Sequence, residues 1–212
     1  MNMQIQGFIF DYGGTLDTGG CHWAQMLWQA YQRAGVPVTE QQFKDAYVHV
    51  ERLLGRESFI HADDTFRTTL SKKILLQLSF LGQSHAYQTA LLDDLYPQVC
   101  HHTAHSREVL LQLKERYPLV LVSNFYGNLS AVLREFGFED IFQHVIESAA
   151  VGIRKPDVRI FQLGIQALGM PPEHIAVVGD SMKNDILPAQ QAGCQTIQLK
   201  GDITDINELL NL

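Results

Sequence analysis

The stretch Ile9-Phe10-Asp11-Tyr12-Gly13-Gly14-Thr15-Leu16-Asp17 decides how this chain is read. Residues Gly7 to Phe10 form a short apolar strand that runs into an acidic residue, two glycines and a threonine. A buried strand ending in a carboxylate and a glycine-rich turn sets that carboxylate at the carboxyl edge of a sheet. Open α/β folds build their ligand crevice at that edge, and glycines let the backbone approach a ligand closely.

Beyond residue 103 the chain repeats this kind of unit. Arg107 to Glu115 reads as a helix, and Leu119 to Val122 as a strand closed by Ser123-Asn124. A helix over Leu129 to Phe136 stops at Gly137, and His144 to Ile146 is a short strand. A helix from Asp157 to Leu168 follows, then a strand, Ile175 to Val178, ending in Gly179-Asp180. Ile186 to Ala192 is helical and Thr196 to Leu199 is the last strand. Strands alternating with helices of this length imply βαβ units and a doubly wound parallel sheet with right-handed crossovers.

Residues 18–103 read differently. Trp23, Met26, Leu27, Ala30 and Tyr31 follow helical spacing, and Thr39-Glu40-Gln41-Gln42 carries a capping-box pattern. A third helix runs from about Asp64 to Gly82 and a fourth from Ser84 to Val99, with Pro97 near its end. The expectation is an α/β core, residues 1–17 and 104–212, with an α-helical cap, 18–103, inserted after the first strand. At 212 residues the chain is long for one compact domain and short for two, which suits a core with an insertion.

Composition narrows the function. With 46% hydrophobic and 18% charged residues the chain belongs to the globular class. A net charge of -7 argues against a nucleic-acid binder, which needs a basic face to release counterions, and against an anionic membrane surface. Three scattered cysteines (Cys21, Cys100, Cys194) make no disulfide framework, so a reducing cytoplasm is expected. Neither a signal-peptide core nor a membrane-spanning run is read.

Four polar positions fall at strand ends or in adjacent loops: Asp11, Ser123, Lys155 and the turn Gly179-Asp180-Ser181-Met182-Lys183-Asn184-Asp185. In a parallel sheet these share one edge. Phe10-Asp11-x-x-Gly14-Thr15-Leu16, Val120-Leu121-Val122-Ser123-Asn124, Gly152-Ile153-Arg154-Lys155-Pro156-Asp157 and Gly179-Asp180-Ser181-x-x-Asn184-Asp185 resemble, in order, the four motifs of the haloacid dehalogenase (HAD) superfamily. The resemblance covers the whole chain, and the insertion sits where family members carry a helical C1-type cap.

The resemblance implies a Rossmann-like core, Mg²⁺ as cofactor, and a small phosphorylated molecule as substrate. Asp11 would be the nucleophile that forms an aspartyl-phosphate. A carboxylate attacking a phosphate needs compensating positive charge, and Mg²⁺ prefers oxygen ligands. Asp11, Asp180 and the backbone carbonyl of Gly13 would hold the ion, with Asp185 a ligand through water or an anchor of Asp180. Lys155 would neutralise Asp11 and the phosphoryl oxygens, which Ser123, the Asn124 N–H and Thr15 would hydrogen-bond.

One departure matters. Family phosphatases usually carry a second aspartate two residues after the nucleophile as general acid and base, and here that position is Gly13. Such catalysis typically contributes about 10²–10⁴-fold. Either the substrate has a good leaving group, or another residue acts (Asp17, His22 or a cap residue such as His61), or hydrolysis is lost and a phosphate-binding or regulatory protein remains. The favoured reading is a narrow phosphatase, since the acidic residues, Ser123 and Lys155 are retained. The superfamily's dehalogenases need no metal and do not typically keep the acidic fourth motif. Its phosphonatases use a cap lysine as a Schiff base, and Lys44, Lys72 and Lys73 are read as solvated surface charges. Asp17–Gly20 and Gln98–Thr103 are the expected hinges, and the loops near His22 and Phe59 to Asp63 the expected cap contacts. His101, His102 and His105 are assigned a linker or helix-end role, and Cys21 an incidental one.

Overall fold

The computed structural model describes residues 4–57 and 59–212; residues 1–3 and Ser58 lie outside the described residues. Five strands form one parallel sheet: β1 (Gly7–Phe10), β2 (Leu119–Ser123), β3 (His144–Glu147), β4 (Ile175–Gly179) and β5 (Gln195–Gln198). Their order is β3-β2-β1-β4-β5, so β1 is central and every neighbouring pair is parallel. Phe8 lies opposite Leu119 on one side and Ala176 on the other. The expected doubly wound α/β core is the fold observed.

Side chains alternate across a strand, and β1 shows what that does here. Phe8 and Phe10, with Leu119 and Leu121, enter one apolar layer; Ile9, with Val120 and Val122, enters the opposite one. The second layer is covered by α7 (Arg159–Leu168), which approaches so closely that a Cβ on Gly164 would meet Ile9 at 2.8 Å. Because both faces are covered, β1, β2 and β4 are buried throughout and read as unbroken apolar runs.

The first layer continues into the helices between β1 and β2: α1 (Trp23–Arg33), α2 (Glu40–Leu54), α3 (Phe66–Phe80) and α4 (Tyr87–Leu113). Thr39 caps α2 with the expected reciprocal capping box, and Thr65 caps α3 through the Thr68 N–H. Leu27, Tyr31, Phe43, Leu70 and Ile74 share one apolar cluster with Phe8 and Phe10. Polar bridges reinforce this seam. Ser106 Oγ donates to the Leu16 carbonyl at 2.9 Å, and Asn128 Nδ2 donates to the Asp64 carbonyl and Thr69 Oγ1, both at 2.8 Å.

One expectation is corrected here. The sequence reads as two helices divided near residues 98–103, whereas α4 is continuous from Tyr87 to Leu113 with Pro97 inside it. The buried series Leu91, Leu95, Val99, Thr103, Ser106 and Leu110 keeps helical spacing through the expected break, and Thr103 Oγ1 donates back to the Val99 carbonyl at 2.8 Å. Gln98–Thr103 is therefore helix, while Asp17–Gly20 is a turn. His101, His102 and His105 lie mid-helix rather than in a linker or at a helix end; His105 Nε2 pairs with Asp205 Oδ1 at 2.8 Å, tying α4 to the last turn of the chain.

The remaining helices are short: α5 (Leu129–Glu135), α6 (Ser148–Val151) and α8 (Leu187–Gln191), the last entered through a wide π-type turn at Met182–Ile186. Among the described residues no helix is long and apolar enough to cross a membrane.

Candidate active site at the carboxyl edge of the sheet

The strand ends converge as the topology requires. Asp11 follows β1 and its N–H donates across to the Val178 carbonyl of β4 at 2.9 Å, seating its side chain beside the loop that carries Asp180. Lys155, from the loop after α6, reaches between two carboxylates: Nζ is 2.5 Å from Asp11 Oδ1 and 2.7 Å from Asp185 Oδ1. All three side chains are almost wholly buried. Asp185 Oδ2 also accepts from the Ser181 N–H at 3.0 Å, closing the fourth-motif turn on itself. Asn124 braces the lysine from the other side, its Oδ1 accepting from the Lys155 N–H at 2.9 Å and its Nδ2 donating to the Lys155 carbonyl at 3.1 Å.

Gly14 shows how tight this floor is. It adopts φ +94°, a left-handed conformation, and a Cβ there would lie 2.6 Å from Asp180 Oδ1. Gly13 is under no such demand: its φ is not in that region, and an added Cβ would meet only Trp23 Cδ1, at 4.0 Å. A Cβ at position 13 would therefore meet no steric bar.

Electrostatically the floor is short of positive charge. Asp11, Asp180 and Asp185 present carboxylate oxygens within 4.8 Å of one another, and among the described residues the cation hydrogen-bonded to them is the Lys155 ammonium. Burial, and then repulsion from Asp185 and Asp180, push the Asp11 carboxyl well above its ordinary value despite the pull of Lys155. Burial and the Asp185 charge push Asp180 up to about 6. Burial acts against the Lys155 ammonium, but Asp11 and Asp185 together outweigh it and raise its pKa. Three hard oxygen donors with a charge deficit fit a divalent cation such as Mg²⁺.

The other expected residues are distributed unevenly. Thr15 is fully buried beneath the floor, its Oγ1 donating to Asp11 Oδ2 at 3.3 Å and near Asp180 Oδ1 at 3.4 Å. Ser123 is buried at the end of β2 and its hydroxyl has no partner among the described residues. An unmet buried hydroxyl is costly, which leaves Ser123 Oγ with a hydrogen bond to give, although Asn124 and not Ser123 lines the pocket. Of the three substitutes weighed for the acid, Asp17 lines the pocket, but Oδ1 accepts from the Gly14 N–H at 2.7 Å and Oδ2 from Trp23 Nε1 at 2.8 Å. His22 lines the rim and caps α1, Nδ1 accepting from the Ala24 N–H at 3.1 Å. His61 is exposed, and none of Phe59 to Asp63 lines the pocket; Ile60 is instead buried in a small apolar cluster with Val50 and Leu54.

The pocket, about 320 Å³, lies between this floor and a wall of residues from α1, α2, α3 and the loop after β2, and that helical wall holds a charge the sequence reading missed. Lys73, read as a solvated surface charge, is buried in that wall and ion-paired with Glu51. Its ammonium lies 5.7 Å from the Trp23 ring and 5.2 Å from that of Tyr47. Glu51 Oε2 in turn accepts from Tyr126 Oη, on the loop after β2, at 2.7 Å. A signal was present: Lys73 stands seven residues after Phe66 and three after Leu70, on the apolar stripe of α3. Lys44 is solvated as expected, and Lys72 pairs with Asp64 at 2.5 Å with about a third of its side chain exposed (32%).

A family model described as haloacid dehalogenase-like hydrolase matches residues 5–193. The chain belongs to that family. It is accordingly a hydrolase, and a phosphatase-like one by its curated relatives. It is 30% identical to a phosphoglycolate phosphatase of Vibrio vulnificus strain CMCP6, over 92% of this chain and 84% of that protein. It is 26% identical to a glyceraldehyde 3-phosphate phosphatase of Methanothermobacter thermautotrophicus, over 95% and 88%. In fold this HAD-like hydrolase is similar to a magnesium-bound HAD-hydrolase of Bacillus subtilis (TM-score 0.59, 19% identity, 98% of each chain). A dehalogenase crystal structure gives a TM-score of 0.64 at 19% identity, over 98% of this chain and 96% of that one.

Proposed function

We propose that this HAD-like hydrolase is a Mg²⁺-assisted phosphatase of small phosphorylated metabolites, with Asp11 as its nucleophile. The observation that carries the reading is the buried chain Asp11–Lys155–Asp185, with Asp180 beside it, opening into a pocket sized for a small molecule. Phosphatases among the relatives support the same class. An Asp11 oxygen attacks phosphorus as the P–O bond of the ester breaks, its electrons leaving with the alcohol oxygen. Water then attacks the aspartyl-phosphate, releasing inorganic phosphate and restoring Asp11. Lys155 holds Asp11 in place and offsets the charge of the phosphoryl oxygens, and Ser123 Oγ gives its free hydrogen bond to one of them.

Asp11, Asp180 and Asp185, with the Gly13 carbonyl, would hold Mg²⁺, which when bound supplies positive charge where carboxylate and phosphate meet. The helices of residues 18–103 act as the cap that shelters this chemistry from water. The test is hydrolysis of 4-nitrophenyl phosphate and an alkyl phosphate with Mg²⁺ and with EDTA, in wild type and Asp11→Asn. Metal-dependent turnover that Asp11→Asn abolishes is expected. Turnover that survives Asp11→Asn, or a wild type inert to aryl, alkyl, acyl and sugar phosphates, would remove the reading.

A further inference from the structure

The wall facing the acidic floor determines what body the phosphate can carry. We infer that the protein prefers phosphate monoesters bearing one flat, uncharged aromatic ring, and that Tyr47 is a specificity-determining residue for that ring. The inference rests on the phosphatase reading above and adds a substrate class and a residue to it.

Six apolar or aromatic side chains, Trp23, Tyr47, Phe66, Leu70, Phe125 and Tyr126, line the same cavity as Asp11 and Lys155. At about 320 Å³ it lies at the small end of ligand cavities, which run from about 300 to 1,000 Å³. That space suits a phosphate with one ring system and not a dinucleotide. The rings are anchored against one another: the Trp23 and Phe66 centroids lie 5.7 Å apart, and those of Phe125 and Tyr126 5.3 Å apart. Phe66 and Phe125 are buried, whereas Trp23, Tyr47 and Tyr126 are half-buried and keep some ring surface open. An aromatic guest gains twice from such a lining, through apolar burial and through offset or edge-on contact between rings.

The charges of the lining argue against an ionic body. Among the described residues three lysines or arginines line the cavity: Lys155 is held by Asp11 and Asp185, Lys73 by Glu51, and Arg154 is exposed. A second anionic group on the substrate thus meets no unpaired cation inside. Glu51 is itself taken, by Lys73 and by Tyr126 Oη at 2.7 Å, so a cationic body finds no free carboxylate in the wall.

Tyr47 is not engaged in this way. Its phenol makes no hydrogen bond among the described residues. Burial, then the charges of Glu51, Asp180 and Asp17, push the phenol pKa up, so it stays protonated and able to donate. A ring with an acceptor on its edge, such as a nucleobase carbonyl, suits that donor.

Three esters whose alcohols leave with similar difficulty test this with Mg²⁺: benzyl phosphate, cyclohexylmethyl phosphate and 2-phosphoglycolate. For benzyl phosphate kcat/KM is expected about 10-fold above its saturated counterpart and about 10²-fold above the acid. Uridine 5′-monophosphate above benzyl phosphate places the ring on a nucleoside, and the reverse order places it on a short linker; both support the inference. Tyr47→Leu strands no hydrogen-bond partner and should cut the benzyl-to-cyclohexylmethyl ratio at least about 3-fold, whereas Tyr47→Phe keeps the ring and should keep the ratio. Binding gives a readout that needs no turnover. In Asp11→Asn/Trp28→Phe, where Trp23 is the sole tryptophan, benzyl phosphate should shift the fluorescence with a Kd at least about 3-fold below that of cyclohexylmethyl phosphate. Equal kcat/KM for the benzyl and cyclohexylmethyl esters, a preference for 2-phosphoglycolate, or an unchanged ratio in Tyr47→Leu would overturn the inference and leave the phosphatase standing. A wild type inactive on every ester would instead fail the phosphatase reading, and the Kd comparison would still decide whether the ring is preferred.

Discussion

The two walls of the pocket are built on different principles. The floor is made of strand ends: Asp11 after β1, Ser123 ending β2, and Asp180 and Asp185 after β4, with Lys155 wedged between two of the carboxylates. Each position there is dictated by backbone geometry, down to the left-handed Gly14 pressed on Asp180. The opposite wall is made of helix faces, and the Lys73–Glu51 ion pair in it is placed by the packing of α2 against α3. The floor thus concentrates negative charge around a fixed lysine, while that wall offers a second lysine among aromatic rings. A site divided this way can keep one reaction centre and vary what is recognised above it.

If the floor alone holds the nucleophile, Asp11→Asn is expected to lower kcat on 4-nitrophenyl phosphate by at least about 10³-fold. No cap substitution should do the same on that ester. Lys155→Met is expected to cost about 3–5 kcal/mol in denaturant unfolding, because it strands buried carboxylates without their cation. A loss under about 1 kcal/mol would show that the floor tolerates its charges without the lysine, and would erase the contrast.

Acidity separates the regions too. Burial pushes the Asp17 carboxyl from 3.8 up to about 7, against the Gly14 and Trp23 hydrogen bonds that lower it. Between those values the folded chain holds a proton that the unfolded chain has released. Stability from this group is therefore full below about pH 4 and lost as pH rises through about 7, a change on the order of 4 kcal/mol at most. In EDTA, Tm should fall from pH 5 to pH 8, and Asp17→Asn should flatten that slope even if it lowers Tm throughout. An unchanged slope would assign the effect to other groups.

The adjacent glycines sharpen the comparison further. Gly14→Ala should destabilise by about 1–3 kcal/mol through strained backbone and contact with Asp180, whereas Gly13→Ala should stay within about 0.5 kcal/mol. Equal costs would mean that the turn, not the chemistry, requires both. The smallest effect is expected at the solvated Lys44–Glu40 pair, where Lys44→Ala should change stability by no more than about 0.5 kcal/mol.

Much of the floor was legible in the sequence because it is local. A strand, its terminal carboxylate and the turn after it are contiguous, so Asp11, Ser123, Lys155, Asp180 and Asp185 could be named from order and pattern, and a parallel sheet then brings them to one edge. The capping box at Thr39 was legible for the same reason. The break expected near residues 98–103 is absent because tertiary packing carries α4 straight through Pro97.

What the sequence by itself determined is the fold class and the acidic floor, whose residues are set by backbone direction and short-range spacing. Only the tertiary structure decided which side chains of the helices between β1 and β2 line the pocket above that floor. Lys44, Lys72 and Lys73 are the same residue type on neighbouring helices, yet one is solvated, one is paired at the surface, and one is buried beside Trp23 and Glu51. The stripe on α3 could mark Lys73 as inward-facing, but the meeting of its ammonium with residues from α1, α2 and the loop after β2 comes from long-range packing. Spacing along one helix holds no information about what the other helices bring to that point.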